Sequence, residues 1–292
     1  MIKKYTGLLY IVPWLIGLFI FTFYPFISSF ILSFTDYKII YQPKFVGFGN
    51  YIKMFNDNTF FISLVATFKY VIMTVPLNLI FALLIALVLN FKLRGINFYR
   101  TVYYIPSILG GNIAVAVLWR FLFGTNGLIN QFIKFIGINP ISWFSTEYGA
   151  LFALSTLKIW QFGSTMIIFL AGLKDIPQEL YEAAAVDGAG KIRTFFSVTI
   201  PLLSPIIFFN LIMQLINAFQ EFNSPYLITN GGPLYKTYLF SLMIYDNAFQ
   251  YFNMGYASAL SWVLFIIIMI FTVFIFRSSS YWVFYSDEGG ES

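Results

Sequence analysis

A polar island interrupts an otherwise apolar chain at residues 180–205, which read LYEAAAVDGAGKIRTFFSVTIPLLSP. Its GAGK tetrapeptide is similar to the end of a phosphate-binding loop, in which a glycine, four further residues and Gly-Lys-Ser or Gly-Lys-Thr hold a nucleotide phosphate. Here Ala185 occupies the position of the first glycine, and Ile192 follows Lys191 where the hydroxyl belongs. The pattern therefore does not predict a nucleotide site, and the island needs another explanation.

A second group of polar residues lies inside an apolar segment, at intervals of four, three and four residues that place it on one helical face. Polar side chains in membrane segments are costly and usually face a bundle interior or a wet cavity. Amides and carboxylates can form hydrogen bonds with sugar hydroxyls. A Trp-Gln pair in the preceding apolar segment adds an aromatic ring that can stack on a sugar. Hydrogen bonding between helices without ligand contact is the alternative. The predicted substrate-pathway residues are Asn210, Gln214, Asn217, Glu221, Trp160 and Gln161.

Composition places the chain in a membrane. Of its 292 residues, 59% are hydrophobic and 10% are charged, and the mean hydropathy is +0.79. Long apolar runs without alternation predict helices, because a spanning segment must satisfy its own backbone hydrogen bonds. The absence of histidine and cysteine removes common nucleophiles, bases and metal ligands, so we expect neither an enzyme nor a metal site. The net charge of +5 is spread among apolar segments, which argues against a nucleic-acid partner.

The apolar runs predict an all-α integral membrane protein with six transmembrane helices, since each span needs about 20 apolar residues. Lysines and arginines concentrate on one side of these spans, which places both termini and the polar island in the cytoplasm. The inside cations are Lys3, Lys4, Lys92, Arg94, Arg100, Lys174, Lys191, Arg193 and Arg277. The predicted spans cover residues 8–34, 60–90, 98–122, 149–172, 204–225 and 255–276, with a cytoplasmic loop at 173–203 and a cytoplasmic tail at 278–292.

Two further segments, which begin at Gly49 and Lys236, look helical but are too short or too polar to cross the bilayer. We expect both to lie at the outer interface. If the segment from Lys236 crossed instead, the count would become seven and the carboxyl-terminal tail would face outward.

Helix signals divide the polar island into two short helices. Asp175 can cap the first helix, Pro177 suits its first turn, and Gly188 can end it in the left-handed conformation. A second helix is expected from about 191 to 198, ended by Pro201. Helices this short are marginal in water, so we predict that the pair docks against another protein. An ordinary intracellular loop is the alternative.

The island resembles the EAA loop of ATP-binding-cassette (ABC) importer permeases, whose pattern is Glu-Ala-Ala, three residues, Gly, nine residues and Ile-x-Leu-Pro. Residues 182–188 and 198–201 keep this spacing, with valine and isoleucine in place of the usual isoleucine and leucine. Four other stretches are similar to carbohydrate-importer permeases of the F-type half: YPFISSFILSFTDY, FVGFGNY, TNGGP and GYASALS. The chain lacks the extra amino-terminal spans and the large outer insertion of the maltose F-type subunit, and it resembles the compact six-span members.

The resemblance implies a permease subunit of type I importer architecture, in a bacterial cytoplasmic membrane, with residues 1–292 as one permease domain. A solute-binding protein would deliver a sugar or oligosaccharide to this chain and a second homologous permease subunit, which pass it across the lipid bilayer by alternating access. Two ATPase subunits would bind ATP and Mg²⁺, and no cofactor is expected on this chain. The implied ATPase-coupling residues are Glu182, Ala183, Ala184, Asp187, Gly188 and Pro201. The implied binding-protein contacts are Gly231, Gly232 and Pro233.

An ion-coupled secondary carrier or channel is the alternative function. It would need buried titratable groups as an ion relay, for which Glu221, Lys69 and Lys158 are the candidates. We expect instead that Lys69 extends to the outer surface and that Lys158 pairs with Glu221. Two further expectations concern packing: Asn78 satisfies a backbone kinked at Pro76, and residues 110–112 mark close helix packing.

Overall fold

The computed structural model describes residues 6–91 and 94–284. The cations Lys3, Lys4 and Lys92, and residues 285–292 of the predicted tail, lie outside these ranges. The described chain is mostly helical, with one short antiparallel pair of strands, β1 (Thr35–Asp36) and β2 (Lys44–Phe45). Its α-helices are α1 (Thr6–Leu18), α2 (Tyr24–Ser33), α3 (Gly49–Phe55), α4 (Asn58–Leu89), α5 (Ile96–Leu109), α6 (Ile113–Leu122), α7 (Leu128–Phe135), α8 (Glu147–Trp160), α9 (Gly163–Asp175), α10 (Gln178–Val186), α11 (Lys191–Thr194), α12 (Ile200–Phe219), α13 (Phe240–Tyr245) and α14 (Met254–Trp282).

Four continuous helices of the described chain are long and apolar enough to cross a bilayer: Tyr10–Ser33, Asn58–Leu89, Lys191–Phe219 and Met254–Trp282. Two further helix pairs pass the same test only together, α5 with α6 bent by 98° and α8 with α9 bent by 49°. The predicted spans 98–122 and 149–172 are therefore each interrupted by a break, and the predicted count of six holds only if each bent pair is one span. The first break has a local cause, because the Asn112 side chain accepts a hydrogen bond from the Ala114 N–H at 2.9 Å and caps a new helix there.

Two prolines follow π-helical turns that let a helix continue. The turn Phe19–Phe23 precedes Pro25, and the turn Phe195–Thr199 precedes Pro201. Proline lacks an N–H and its ring clashes with the carbonyl four residues earlier, and a locally widened turn relieves both problems. Pro201 therefore does not end a helix, contrary to the prediction. The helix Lys191–Phe219 begins earlier and ends earlier than the predicted span 204–225.

The chain divides into two compact units, and the smaller contains residues 1–61 and 241–267. Trp262 organises its apolar packing, with ring centroids 4.8 Å from Phe26 and 4.7 Å from Phe30. The Tyr256 hydroxyl donates to the Asp57 carboxylate at 3.2 Å. The predicted short helix near Gly49 is confirmed as α3.

The larger unit contains residues 62–240 and 268–292. Its core joins α4, α9 and α12 through Ala82, Ala86, Phe162, Met166, Phe169, Leu170, Leu173 and Leu203. Gly172 allows the close approach of α9 to α12, because a Cβ there would lie 3.1 Å from the Leu203 side chain.

The apolar part of the segment that begins at Lys236 is buried in protein, and its location at the outer membrane interface stays a prediction. Leu239, Phe240, Leu242 and Met243 are all fully buried. The helix itself, α13, is six residues long, which is far shorter than the roughly 20 residues that a span needs.

Candidate coupling and transport sites

Helix α10 lies at the surface and has a well-defined carboxyl-terminal end. Gly188 has a φ of +74°, its N–H donates to the Ala185 carbonyl at 3.1 Å, and the Ala189 N–H donates to the Ala184 carbonyl at 2.9 Å. These two bonds form a Schellman motif, which satisfies carbonyls at the helix end. The left-handed ending predicted at Gly188 is confirmed.

The start of α10 differs from the prediction. Pro177 is the residue that flanks the helix, while Asp175 is the last residue of α9 and caps nothing in α10. The cause is Ile176, which precedes a proline and takes an extended conformation with φ −72° and ψ 120°. The predicted loop 173–203 consequently consists of the end of α9, a sharp bend, α10 and the first part of the helix Lys191–Phe219.

The exposed side of this segment carries both polar and apolar side chains. None of the α10 side chains, all of which the structure describes, is buried, and Glu182, Ala183 and Asp187 are exposed. Val186, the last residue of α10, is 88% exposed, and Ile192 in the following helix is 77% exposed. An exposed apolar patch rimmed by polar residues is typical of a protein-docking surface.

The opposite side of α10 is tethered to the membrane helices. The Tyr181 hydroxyl lies 3.1 Å from the Thr199 hydroxyl of the helix Lys191–Phe219. Both residues line a cleft of about 430 Å³, together with Leu87, Asn90, Phe91, Leu173, Ala185, Ala189, Lys191, Thr194 and Phe195. Helix α10 therefore has one side that is bonded to the membrane helix and one side that is exposed.

The predicted pathway residues of α12 are exposed to different degrees. Asn210 is buried, Gln214 is half-buried and donates to the Thr165 hydroxyl at 2.6 Å, and Asn217 is exposed. The three share one face, since their spacing is four and three residues. The Asn210 Nδ2 is buried without a hydrogen-bond partner among the described residues. This face therefore opens progressively toward the carboxyl end of α12.

Glu221 is not on that face, which corrects the prediction of a four-residue helical stripe. The helix ends at Phe219, and the Glu221 carboxylate accepts hydrogen bonds from the Ser224 N–H at 3.1 Å and the Ser224 hydroxyl at 2.7 Å. Its other oxygen lies 3.3 Å from the Lys158 ammonium. The predicted Lys158–Glu221 ion pair is confirmed.

A buried polar line on α4 was missed by the sequence analysis. Its hydroxyl and amide groups pack against α8: the Thr74 hydroxyl lies 2.7 Å from that of Ser155, and the Asn78 amide donates to the Lys158 carbonyl at 2.9 Å. Asn78 therefore donates to another helix, whereas the prediction was that it satisfies a backbone kinked at Pro76. The spacing of three, four and four was the available signal, and the members are Thr67, Tyr70, Thr74 and Asn78.

Gln161 and Trp160 lie at the break between α8 and α9. The Gln161 amide donates to the Gly110 carbonyl at 2.9 Å, and the Trp160 ring centroid is 5.6 Å from that of Trp119. Gly110 is a close-packing position as predicted, because a Cβ there would lie 2.6 Å from the Gln161 amide nitrogen. Gly111 has no such neighbour among the described atoms within 4 Å. In this structure Gln161 joins helices, which is the alternative considered for it.

Residues 46–283 match the family described as binding-protein-dependent transport system inner membrane component. The chain belongs to this family. It is 48% identical to the probable ABC transporter permease protein YesP of Bacillus subtilis, over 97% of this chain and 93% of that one. It is 34% identical to the trehalose/maltose transport system permease protein MalF of Thermococcus litoralis, over 91% of each. Its fold matches a crystal structure of a bacterial ABC transporter that imports the acidic polysaccharide alginate, with a TM-score of 0.80, 21% identity and 96% coverage of both chains.

The turn at residues 231–233 of this permease is itself largely buried, and the residues that follow it are exposed. Gly231 has a φ of +81° and is buried against Tyr238, and Gly232 and Pro233 are half-buried. The residues that project are Leu234 and Tyr235, both with positive φ, which the sequence analysis did not single out.

The hydroxyl groups of Thr229 and Thr237 stabilise the turn. The buried Thr237 hydroxyl donates to the Gly232 carbonyl at 2.6 Å and lies 2.7 Å from the Thr229 hydroxyl. At its edge, the Glu147 carboxylate pairs with Lys69 and lies 3.7 Å from the Lys236 ammonium. Lys69 therefore pairs with a carboxylate at the start of α8. The hydrogen-bonded turn holds the exposed Leu234 and Tyr235 in position.

Proposed function

We propose that this permease is a carbohydrate-importing subunit of an ABC transporter in the cytoplasmic membrane, with α10 as the helix that an ATPase subunit engages. Two relatives of the permease act in related systems, YesP as a probable ABC transporter permease and MalF in trehalose and maltose transport. The family's dependence on binding proteins supports delivery of the solute from outside.

The observation that carries the ATPase assignment is the geometry of α10. None of its side chains is buried, its ending is fixed by the Schellman motif at Gly188, and the apolar side chains of Val186 in α10 and Ile192 in the next helix are largely exposed. A nine-residue helix gains little stability by itself in water. The exposed apolar surface supports a protein partner there, and Glu182, Ala183, Ala184, Asp187 and Gly188 are its proposed contact and shaping residues. Pro201, in the membrane helix, is proposed to orient the segment.

The proposed topology has six spans and both termini in the cytoplasm. Four continuous helices and two bent pairs give that number if each bent pair is one span. Arg94, Arg100, Lys174, Lys191 and Arg193 then share the cytoplasmic side with α10. The tail from residue 278 also lies there.

The solute is proposed to pass along the open face of α12. Gln214 and Asn217 offer amide donors and acceptors at its carboxyl end, Asn210 lies deeper, and Glu221, Trp160 and Gln161 act around them by holding the helices. A second, homologous permease subunit is proposed to cover this face, because half-exposed amides in a membrane require a partner or water.

Partners on the two sides complete the proposal. The binding protein is proposed to contact the turn at Gly231, Gly232 and Pro233 through the projecting Leu234 and Tyr235. Two ATPase subunits bind ATP and Mg²⁺, and this chain binds neither. Closure of the ATPase pair moves α10 and converts an inward-open cavity into an outward-open one.

The test is recovery of the ATPase subunit with affinity-purified permease. We expect Glu182→Lys to reduce that recovery strongly while the permease still inserts, because Glu182 is exposed and its only described side-chain bond is to Gln178 at 3.1 Å. The matched control is Glu179→Lys, a charge reversal of another exposed residue of α10. Undiminished recovery and normal uptake with Glu182→Lys would remove the support for α10 as the coupling helix.

A further inference from the structure

The breaks of the two bent spans are bonded to each other. Three hydrogen bonds join them: Gln161 Nε2 to the Gly110 carbonyl at 2.9 Å, the Ser107 hydroxyl to the Gln161 carbonyl at 2.9 Å, and the Ser164 N–H to the Ser107 hydroxyl at 3.1 Å. We call this set the joint, consisting of Ser107, Gly110, Gln161 and Ser164.

Each bond of the joint satisfies a backbone group that a helix break has released. Gly110 and Gln161 directly follow the last residues of α5 and α8, where carbonyl groups have no N–H partner within the helix. Ser164 lies in the first turn of α9, where N–H groups have no carbonyl partner within the helix. Water is scarce at membrane depth, and an unsatisfied backbone group there costs several kcal/mol. Each span thus supplies the side chain that the other's break requires.

Close backbone packing holds the same two helices together beside the joint. Gly163, the first residue of α9, faces α5: a Cβ there would lie 2.9 Å from the Tyr104 Cα and 3.0 Å from the Tyr103 carbonyl oxygen. On the other side of the breaks, the Trp119 indole of α6 donates to the Ala153 carbonyl of α8 at 3.0 Å. Hence α5 pairs with α9, α6 pairs with α8, and the two breaks meet.

We propose that Ser107 and Gln161 are positioning residues for transport, which keep the two breaks together so that α5 and α9 move as one piece when α10 moves. The proposal rests on the proposed function, because it takes α10 as the point where force enters. The connection is short: α9 ends at Asp175 and α10 begins at Gln178. Without the joint, movement of α9 would be lost in sliding against α5.

A matched pair of variants tests the hydroxyl of the joint. Ser107→Thr keeps the hydroxyl, whereas Ser107→Val has the same shape as threonine and no hydroxyl. In proteoliposomes that contain the whole transporter, we expect Ser107→Val, which removes both hydrogen bonds of the Ser107 hydroxyl, to raise the ATP hydrolysed per solute transported by at least about fivefold, the factor for one lost hydrogen bond, and Ser107→Thr to stay close to wild type. ATPase recovery should be normal in both variants. Equal coupling ratios for the valine and threonine variants would overturn the proposal.

A cross-link tests the motion itself. In Ser107→Cys/Ser164→Cys, oxidation or a short bifunctional thiol reagent should join α5 to α9 specifically, since the chain has no native cysteine. We expect the cross-linked transporter to keep most of the transport of the two single-cysteine variants. Transport that stops on cross-linking and returns on reduction would mean that α5 and α9 slide, and failure of both reagents to join the pair would mean that the spans are apart; each result overturns the proposal.

These outcomes are separate from the failure of the proposed function. If wild-type permease does not retain an ATPase subunit, α10 is not the coupling helix and the proposed function fails first. If wild type transports and retains its ATPase while the joint variants couple normally, the joint proposal alone fails.

Discussion

The Lys158 ammonium lies 3.3 Å from the Glu221 carboxylate, which links α8 to the segment that follows α12. The two side chains are 21% and 10% exposed, respectively. Glu221 uses its other oxygen to accept two hydrogen bonds from Ser224. One carboxylate therefore pairs with a cation on α8 and fixes the segment from Glu221 to Ser224.

Removing one charge of this pair should destabilise the permease more than removing both. Glu221→Gln keeps an acceptor for Ser224 but leaves a half-buried ammonium unpaired, which costs about 3 kcal/mol. Adding Lys158→Met should restore most of that loss, because the uncompensated charge is gone. Thermal unfolding of the detergent-purified complex is the measurement. Lys236→Met, at the more exposed 3.7 Å contact with Glu147, is the control and should change little. A double variant less stable than Glu221→Gln would contradict this account.

Glycine at position 163 should be required by packing, and glycine at 111 should not. Gly163→Ala places a methyl group against the backbone of α5, and overpacking of this kind costs about 1–3 kcal/mol. Gly111→Ala meets no described atom within 4 Å and should lie within about 0.5 kcal/mol of wild type. The comparison is made by thermal unfolding of both variants, and equal stabilities would argue against the close α5–α9 contact.

Single cysteines on α12 should report which face is wet. Asn217→Cys should react with a hydrophilic maleimide and change its rate when nucleotide is trapped, and the buried Asn210→Cys should react slowly. Ile216→Cys is the control, since Ile216 is half-buried, lies about 100° or more around the helix from each of the three pathway residues and should contact lipid. Reaction at 216 with no reaction at 217 in any nucleotide state would place the pathway on the other face.

The left-handed residue that ends α10 should tolerate asparagine better than a branched side chain. At a φ of +74°, a residue with a Cβ costs about 1–2 kcal/mol, and asparagine adopts this conformation more readily than other residues. Gly188→Val should therefore lower ATPase recovery more than Gly188→Asn. The measurement is the ATPase-to-permease ratio after purification, and equal ratios for the two variants would show that the Schellman ending does not matter for docking.

Sequence patterns predicted the parts of this permease that depend on local chemistry. The left-handed Gly188, the apolar spans and the Lys158–Glu221 pair all follow from residue types at short range or from the cost of a lone charge. The parts that depend on tertiary contacts were not predictable. Gly110, Gly111 and Asn112 mark the position of the break within residues 98–122, but the 98° angle of the bend was not predictable, because partners such as Gln161 come from another span. Likewise, the end of α12 at Phe219 placed Glu221 off the predicted helical face.

This permease is proposed to import its solute at the expense of ATP that partner subunits hydrolyse on the cytoplasmic side, with α10 as the contact between them. The most direct measurement is solute accumulation in proteoliposomes that contain the purified transporter, with binding protein on one side and ATP on the other. We expect accumulation that requires ATP and the binding protein, persists when ion gradients are collapsed, and is abolished by Glu182→Lys. Accumulation that proceeds without ATP and follows an imposed ion gradient would contradict the account and identify an ion-coupled carrier instead.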